Sequence, residues 1–457
     1  MSADEAQPAS FRDPSGFLFR REGVLYRHVA PSCASDYDLL IGSGLYAELS
    51  SAGLLVPHEE VALEGHADAH RVLRPHPVEF VSYPYEWAFS ALRDAALLTL
   101  VVAERALARG LVLKDASAFN VQFRGSSPVF IDTLSFEARR EGEPWVAYRQ
   151  FCEHFLAPLA LMARRDARLL GLWRAQLDGL PLDLASRLLP RSTWLRFGLL
   201  THLHLHARSQ AFYADRPAPT RRVAVSRTAL LALLDSLRRS VRGLAPGRAP
   251  SEWADYERTH AYADQTQKAK EATVARWLER LRPRRVWDLG ANVGRFSRIA
   301  AAAGAYAVSF DADPAVVEAA YRSGRAESRR DILPLVLDLA NPSPGLGWEG
   351  HERDTLEARG PADLLLALAL VHHLAIGRNV PLTHLARWLA RLAPAAIVEF
   401  VPKGDAQTQR LLRSRRDVFP HYAPEAFEAA FGRFFRLEAR EPLAASGRVL
   451  YLWRGGA

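Results

Sequence analysis

Residues 284–297, RRVWDLGANVGRFS, decide the fold of the C-terminal half of this chain. The stretch begins as a short apolar strand that ends at Asp288, passes through a turn with Gly290 and Gly294, and then becomes helical. Glycines in such a turn let the backbone approach a ligand closely, and the crevice at the carboxyl ends of the strands is where α/β proteins bind cofactors. The stretch therefore predicts a strand, turn and helix that hold a cofactor.

The residues around this unit alternate between strand and helix patterns. Apolar runs of strand length are separated by segments whose apolar residues recur three and four apart. Such alternation specifies a parallel, doubly wound (Rossmann-like) α/β sheet. The predicted strands are 285–289, 307–311, 333–337, 364–368 and 396–400, with helices at 253–281, 294–303, 314–323, 381–392 and 424–431 and further strands at the end.

The turn departs from the fingerprint of dinucleotide-binding proteins, G-x-G-x-x-G. Asn292 occupies the position of the second glycine, and nothing supplies the third. Asp311 ends the next strand about 20 residues beyond Gly290, where a carboxylate can reach ribose hydroxyls. Asp338 ends the third strand, where it could accept a hydrogen bond from an exocyclic amine. The carboxylate at 311 fits either an adenosine-bearing methyl donor or a nicotinamide cofactor.

Five ordered motifs discriminate between these cofactors. WDLGANVGRFS, SFDADP, VLDLANP, ALVHHL and IVEFVPKGD resemble, in order and spacing, the successive motifs of class I S-adenosylmethionine-dependent methyltransferases. The resemblance implies S-adenosylmethionine as cofactor. Carried over by position, it assigns to cofactor binding Asp288, Gly290, Ala291, Asn292 and Gly294 on the methionine side, Asp311 and Ala312 at the ribose, Asp338 and Leu339 at the adenine, and Ala369 after the fourth strand.

Three further stretches narrow the resemblance. HHLAIGRNVPL, EFVPKGD and RRDVFPHYAPEAFEAAF look like a bacterial methyltransferase group labelled nodulation-protein-like. LVLKDASAFNVQF and FIDTLSF extend that likeness to the N-terminal half. The label itself implies little about the substrate.

Candidate catalytic residues follow the fourth and fifth strands. Methyl transfer from a sulfonium is an in-line displacement, so alignment and exclusion of water matter most and a base is optional. For a hydroxyl acceptor, His372 or His373 is the natural general base, and Glu399 is a further candidate. No DPPY-type or NPPF-type tetrad follows the fourth strand. We therefore expect a hydroxyl, carboxylate or carbon acceptor rather than an amino group of a base.

The predicted helix 253–281 precedes the first strand of this half. It carries Tyr256, Tyr262 and Lys268. These side chains either cover the cofactor, through an aromatic or cationic contact, or serve ordinary packing.

The N-terminal half contains a second motif, LKDASAFNVQF followed by FIDTLSF. Asp115, Asn120 and Asp132 resemble the catalytic loop and metal-binding aspartate of kinase-like phosphotransferases. Leu113 stands where that family has a histidine, Thr133 and Leu134 replace its Phe-Gly pair, and no glycine-rich loop is convincing. The resemblance therefore implies a degenerate kinase-like fold rather than an active phosphotransferase.

The length of 457 residues, with 49% apolar residues, predicts two domains. We expect a disordered tail over 1–10, a separate α+β domain over 11–215, a helix and linker over 216–250, and the methyltransferase domain over 251–457. Within the α+β domain, a hairpin at 17–29 and a helix at 37–53 are predicted.

The net charge of +8 raises nucleic acid as a partner. The charge is arginine spread along the chain, however, so a nucleic-acid surface is not favoured. No apolar run is long enough to cross a bilayer, and two cysteines suit a reducing compartment, so the expected location is the cytoplasm without membrane insertion. No metal site is expected, because packing explains His202, His204 and His206 better than ligation does.

Two other functions remain open at this stage. The chain could be an interaction or scaffold protein whose kinase-like domain binds a partner or nucleotide. It could also be an RNA-modifying methyltransferase that uses its arginine-rich surface, in which case RNA binding should depend steeply on salt.

Overall fold

The computed structural model describes residues 4–213, 224–247, 264–413, 416–443 and 446–455. The chain forms two compact units. The first comprises Met1–Ala249 together with Gly345–Arg353, and the second comprises Pro250–Pro344 together with Asp354–Ala457. A short stretch from the C-terminal half of the sequence therefore belongs to the first unit.

The first unit begins with a five-stranded antiparallel sheet. The predicted hairpin is confirmed, with Glu22 and Gly23 at the positive φ angles of a tight turn. The predicted disordered tail over 1–10 is wrong for its described part, because Glu5 and Ala6 pair with the second strand. The strands are β1 (Glu5–Ala6), β2 (Gly16–Arg21), β3 (Val24–Val29), β4 (His58–Val61) and β5 (Arg71–Pro75), in the order β1-β2-β3-β5-β4.

Helices and two pairs of short antiparallel strands complete this unit. The single helix predicted over 37–53 is wrong, because Gly44, with φ +77°, breaks it into two. The helices are α1 (Ala34–Gly42), α2 (Leu45–Ser51), α3 (Phe89–Ala108), α4 (Tyr148–Phe151), α5 (Ala157–Arg164), α6 (Leu182–Leu188), α7 (Phe197–Leu199), α8 (His206–Tyr213) and α9 (Arg227–Arg242). The paired strands are β6 (Leu111–Leu113) with β9 (Phe136–Ala138), and β7 (Val121–Arg124) with β8 (Ser127–Phe130).

The second unit contains a seven-stranded sheet. Its strands are β10 (Arg285–Leu289), β11 (Tyr306–Asp311), β12 (Ile332–Val336), β13 (Leu364–Ala367), β14 (Ala395–Phe400), β15 (Phe435–Pro442) and β16 (Val449–Gly455), in the order β12-β11-β10-β13-β14-β16-β15. The first five are parallel, as predicted, whereas β16 is antiparallel to both β14 and β15. The strand order reverses between β10 and β13, which is where open α/β sheets bind ligands.

Along the chain, helices precede or connect the strands of the second unit. α10 packs Val274, Trp277 and Leu278 into the core that Val286 of β10 and Leu364 of β13 also enter. The helices are α10 (Asp264–Leu281), α11 (Arg295–Ala302), α12 (Pro314–Ala326), α13 (Leu382–Leu392), α14 (Ala406–Leu412) and α15 (Pro424–Phe431). In the part of the chain that the structure describes, no helix has both the length and the apolar composition of a membrane span.

Candidate cofactor and active site

The turn after β10 is held in a conformation that ordinary side chains avoid. Gly290, Asn292 and Gly294 have φ angles of +74°, +50° and +82°. Glycine adopts these angles without strain, and asparagine tolerates them better than most residues. At position 290 space is also short, since an added Cβ would lie 3.2 Å from Cδ1 of Leu370. Glycine is therefore required there on two counts.

The backbone amides of this turn all donate within the chain. The N–H groups of Gly290 and Ala291 donate to the carbonyl of Phe310, at 2.8 and 2.9 Å, and that of Gly294 donates to Ala291 at 2.9 Å. A pyrophosphate site needs such amides free to face the phosphate. The turn is therefore closed to a dinucleotide held in that way.

The two remaining amides of the turn bind side chains. Asn292 N–H donates to Oδ2 of Asp311 at 2.9 Å, and Val293 N–H donates to Oδ1 of Asn292 at 2.7 Å. The other oxygen of Asp311 accepts from the amide of Asp313, also at 2.9 Å. Burial nevertheless raises the pKa of Asp311. Each oxygen keeps a lone pair, so the fixed carboxylate can accept a hydrogen bond from each hydroxyl of a ribose.

Asp288, just before the turn, is hydrogen-bonded to the helix that follows the turn. Its carboxylate is 2% exposed and accepts a hydrogen bond of 2.6 Å from Ser297 of α11. Ser309 of β11 donates to the same serine hydroxyl at 2.7 Å. Burial raises the pKa of Asp288 to about 6. These hydrogen bonds from Ser309 through Ser297 to Asp288 connect two strands with a helix. No local sequence pattern singles out the two serines.

The residues assigned to adenine and to the cofactor's outer edge lie at the ends of β11, β12 and β13. Asp338 is 41% exposed in its side chain, and its Oδ1 accepts the amide of Ala340 at 2.9 Å. Its second oxygen is 3.5 Å from the guanidinium of Arg378. Leu339 is half-buried beside it, Ala312 is exposed after β11, and Ala369 has a φ angle of +52° after β13.

The two candidate histidines differ in burial. His372 is completely buried, and neither ring nitrogen has a hydrogen-bond partner among the described residues. His373 is half-buried, and the two ring centroids are 4.1 Å apart. Burial lowers the pKa of His373 to about 4 and that of His372 well below its usual value. Both imidazoles are therefore neutral at neutral pH, which is the form that can accept a proton.

Glu399, the third candidate base, lies in a buried ion-pair network. It is completely buried, and Lys270 of α10 lies 2.5 Å from one of its oxygens while Arg448 lies 3.2 Å from the other. Burial alone would raise its pKa, but these cations hold the pKa below its usual value. Arg448 also pairs with Asp405 at 2.7 Å. Glu399 thus anchors a buried ion-pair network with Lys270, Arg448 and Asp405, three residues that were not singled out in the sequence.

The helix predicted over 253–281 is described from residue 264 onward. Tyr256 and Tyr262 lie outside the described residues. Lys268 is exposed on α10, whereas Lys270, two residues later, is the buried cation and lies 4.8 Å from the ring centre of Phe296.

The kinase-like motif of the first unit brings its residues together. Asp115 follows β6 and accepts hydrogen bonds from Ser117 N–H and the Gln150 amide, at 2.8 Å each. Burial raises the pKa of Asp115, and the charge of Asp132 raises it further. The two carboxylates are therefore electrostatic neighbours.

A cation already neutralises the second carboxylate of this cluster. Arg27 of β3 lies 3.1 Å from Asp132 and pairs with Asp13 as well. Asn120 donates to the hydroxyl of Ser135 at 3.1 Å, and that hydroxyl donates to Asp132. Charge balance at Asp132 therefore does not require a metal ion.

The three alternating histidines lie on helical backbone rather than on a strand. His202 is hydrogen-bonded to Tyr148 at 2.8 Å, and His204 to Ser186 at 2.7 Å. His206 stacks on the ring of Tyr148. No group of three potential metal ligands occurs among the residues the structure describes. Packing and hydroxyl contacts account for these side chains.

The fold and the site together define a class of protein. Five parallel strands followed by an antiparallel pair, with a glycine turn after β10 and a carboxylate at the end of β11, make the second unit a class I S-adenosylmethionine-dependent methyltransferase fold.

A curated relative then identifies the family. The chain is 35% identical over 452 residues to nodulation protein NoeA of Rhizobium meliloti (strain 1021), and the match covers 97% of this chain and 94% of the relative. The chain therefore belongs to the NoeA family of nodulation proteins. No model of a known protein family matches the chain.

Solved structures are similar at a lower level. N-methyltransferase NodS from Bradyrhizobium japonicum WM9 is 12% identical and matches 42% of this chain and 98% of its own, with a TM-score of 0.32. Magnesium protoporphyrin IX methyltransferase (ChlM) from Synechocystis PCC 6803 is 19% identical and matches 46% of this chain and 87% of its own, with a TM-score of 0.31. The bifunctional kinase-methyltransferase WbdD is 18% identical and matches 45% of this chain and 44% of its own, with a TM-score of 0.32.

Proposed function

We propose that the chain transfers the methyl group of S-adenosylmethionine to an acceptor hydroxyl, carboxylate or carbon. The observation that carries this proposal is the closed glycine turn beside a fixed Asp311. All five amides from Gly290 to Gly294 donate within the chain, which disfavours a pyrophosphate, while Asp311 retains the capacity to bind a ribose. S-adenosylmethionine has a ribose and no phosphate.

The residues present fit this cofactor. Asp311 would hold the ribose, Asp338 and Leu339 would border the adenine, and the turn from Gly290 to Gly294 would face the methionine part. Bound there, S-adenosylmethionine supplies an electrophilic methyl group on a sulfonium. The turn contributes backbone surface without side-chain bulk, and Asp288 keeps that surface in place through Ser297.

We propose that a neutral imidazole after β13 removes the proton when the acceptor is a hydroxyl. His372 and His373 are both kept neutral by burial. The half-buried ring of His373 has the better access to an acceptor, and the fully buried His372 packs against it. Replacing His373 with glutamine should lower kcat for a hydroxyl acceptor about 100-fold or more and leave cofactor affinity unchanged.

The first experiment is calorimetric binding of S-adenosylmethionine to the full chain and to Asp311→Ala. We expect the wild type to bind and the variant to bind at least tenfold more weakly, because one or more charge-assisted hydrogen bonds to ribose are lost. Asp331→Ala is the matched control, since Asp331 is a carboxylate just before β12 that pairs with Arg329. A folded wild-type protein that binds NAD and ignores S-adenosylmethionine would overturn the proposal.

The same preparation tests the two other functions. A scaffold with a nucleotide-binding first unit should bind ATP in Asp311→Ala and lose it in Asp132→Ala. An RNA-modifying enzyme should transfer a labelled methyl group to RNA and lose RNA affinity steeply with salt. Methyl transfer to a hydroxyl or carboxylate compound, with neither of these behaviours, supports the proposed function.

A further inference from the structure

One stretch of the first unit, residues 191–208, combines protruding apolar side chains with arginines that form no ion pair with a described carboxylate. Leu195 is 90% exposed, Phe197 is 77% exposed and Leu205 is 46% exposed. Arg191, Arg196 and Arg208 belong to the same stretch and are exposed as well. We call these six residues the apolar-arginine face.

The two segments that carry the apolar-arginine face pack against each other. The 3-10 helix Arg191–Leu195 packs on the helical segment that carries His204 and Leu205, since Trp194 stacks on the ring of His204 at 4.4 Å between centres. Arg208 lies over the same tryptophan, with its guanidinium 4.6 Å from the ring centre. The two segments that carry the face therefore meet at Trp194.

The charge of this face is not balanced by its own stretch. Residues 184–213 contain no aspartate or glutamate. Among the described carboxylates, none forms an ion pair with Arg191, Arg196 or Arg208, although many other arginines of the chain are paired. Arg196 is close enough to Arg164 for its charge to add to burial in lowering the pKa of Arg164. The exposed apolar side chains of the face are therefore accompanied in the sequence by arginines whose positive charge no described carboxylate pairs with.

We propose that the apolar-arginine face docks the protein on the surface of an anionic lipid bilayer. Protruding Leu and Phe side chains gain free energy when they enter the boundary between headgroups and acyl chains, and arginines beside them attract anionic headgroups. Neither effect requires a segment that crosses the membrane.

Other occupants fit the face less well. A symmetric contact with a second copy would bring like charges together, because an isologous interface pairs a surface with itself. Single-stranded RNA would use the arginines and Phe197, but bases stack on aromatic rings and gain little from the aliphatic tips of Leu195 and Leu205. A lipid surface uses every side chain of the face.

The test is sedimentation of the full chain with vesicles of phosphatidylcholine alone and of phosphatidylcholine with about one third phosphatidylglycerol. The wild type should bind the anionic vesicles, release them as salt is raised, and ignore the neutral ones. Leu195→Ser with Phe197→Ser should weaken binding tenfold or more. Arg191→Gln with Arg196→Gln should weaken it about fivefold for each arginine.

The matched control variants remove the same number of exposed apolar side chains, or of arginine charges, from the second unit. Val418→Ser with Leu437→Ser removes two exposed apolar side chains of the second unit, and Arg387→Gln with Arg433→Gln removes two exposed charges there. Both controls should bind as the wild type does. Equal loss in controls and test variants, no binding to anionic vesicles, or binding of a single-stranded RNA oligonucleotide in place of vesicles would each overturn the proposal.

Discussion

Burial and ion pairing together determine the structural role of the Glu399 side chain. Two buried cations lower the pKa of this carboxylate and make it a weak proton acceptor. Its removal leaves Lys270 without its carboxylate partner and Arg448 with Asp405 alone. Breaking a buried ion pair on one side is among the most destabilising changes in proteins, because the remaining charge stays out of water. The residue is thus a structural anchor at the end of a central strand.

Glu399→Gln should therefore lower the free energy of unfolding by about 3 to 5 kcal/mol. Urea denaturation measures the change. Glu438→Gln, which alters a carboxylate paired with Arg280 and Arg454 at the protein surface, should cost less than about 1 kcal/mol. Adding Lys270→Met to the buried variant should recover part of the loss. Equal costs at the two glutamates would contradict this account of the network.

Gly290 is required for its backbone angle and for the space that Leu370 takes. Gly290→Ala should weaken S-adenosylmethionine binding about tenfold, as strain and contact displace the turn, and should cost about 1 to 2 kcal/mol of stability. Calorimetry and thermal unfolding measure the two effects. Gly304→Ala has the same kind of strain, at φ +91°, with no atom near the added Cβ, so it should lose stability only. Loss of binding in both variants would argue against a local effect.

Candidate site residues can be picked out from the sequence where the pattern that marks them is local, and their role in binding the cofactor stays a prediction. Asp311 and the turn before it became candidates because a strand end and a glycine spacing are local patterns. Lys270 and Arg448 were missed because their partner lies 129 and 49 positions away, and no local pattern links them. Burial also distinguishes neighbouring residues that look alike in the sequence, since Lys270 is buried whereas Lys268 is exposed.

Among the elements, strands of the central sheet were predicted most closely. Strand β10 and helix α15 have the predicted bounds, because a proline lies at or near the start of each and a glycine follows the end of each. The antiparallel β15 and β16 were not given a direction, since antiparallel pairing depends on contacts between distant segments. Gly44 broke a predicted helix because a single left-handed residue outweighs a continuing apolar pattern.

Helix α15 is attached to the sheet through an aromatic cluster. Phe427 is completely buried and has ring contacts with Phe400, Tyr451 and Trp453. Phe427→Ala should cost about 3 to 5 kcal/mol, because a cavity remains where the ring was. Chemical denaturation measures it against Val418→Ala, an exposed position that should change stability by less than about 0.5 kcal/mol. A cost below about 1 kcal/mol for Phe427→Ala would mean that the helix is not anchored there.

Across the whole molecule, buried histidines predict sensitivity to acid. Burial lowers the pKa of His58, His154, His202 and His373 to about 4. Between that value and the ordinary pKa of 6.5, the unfolded chain binds more protons than the folded one, so stability is full above about pH 6.5 and falls as the pH drops. At pH 5 each fully buried histidine should cost on the order of 2 kcal/mol. Asp288, with its pKa raised to about 6, acts in the opposite direction.

Urea denaturation at pH 7 and pH 5 measures this loss. His202→Gln should flatten the pH dependence by on the order of 2 kcal/mol, because glutamine can keep hydrogen bonds to Tyr148 and Ser236 without titrating. His76→Gln, at a largely exposed histidine, should leave the dependence as it is. If the free energy of unfolding were the same at pH 7 and pH 5, the account of buried neutral histidines would be contradicted.

Gly345–Arg353 returns to the first unit after the chain has already entered the second. There Glu352 pairs with Arg12, and Arg353 lies over the ring of Phe119, 4.1 Å from its centre. A gene fragment that starts at residue 250 would thus carry Glu352 and Arg353 away from both partners. The second unit therefore cannot be exchanged between relatives by a single crossover near residue 250. Recombination would have to transfer both units together, or also replace the segment Gly345–Arg353.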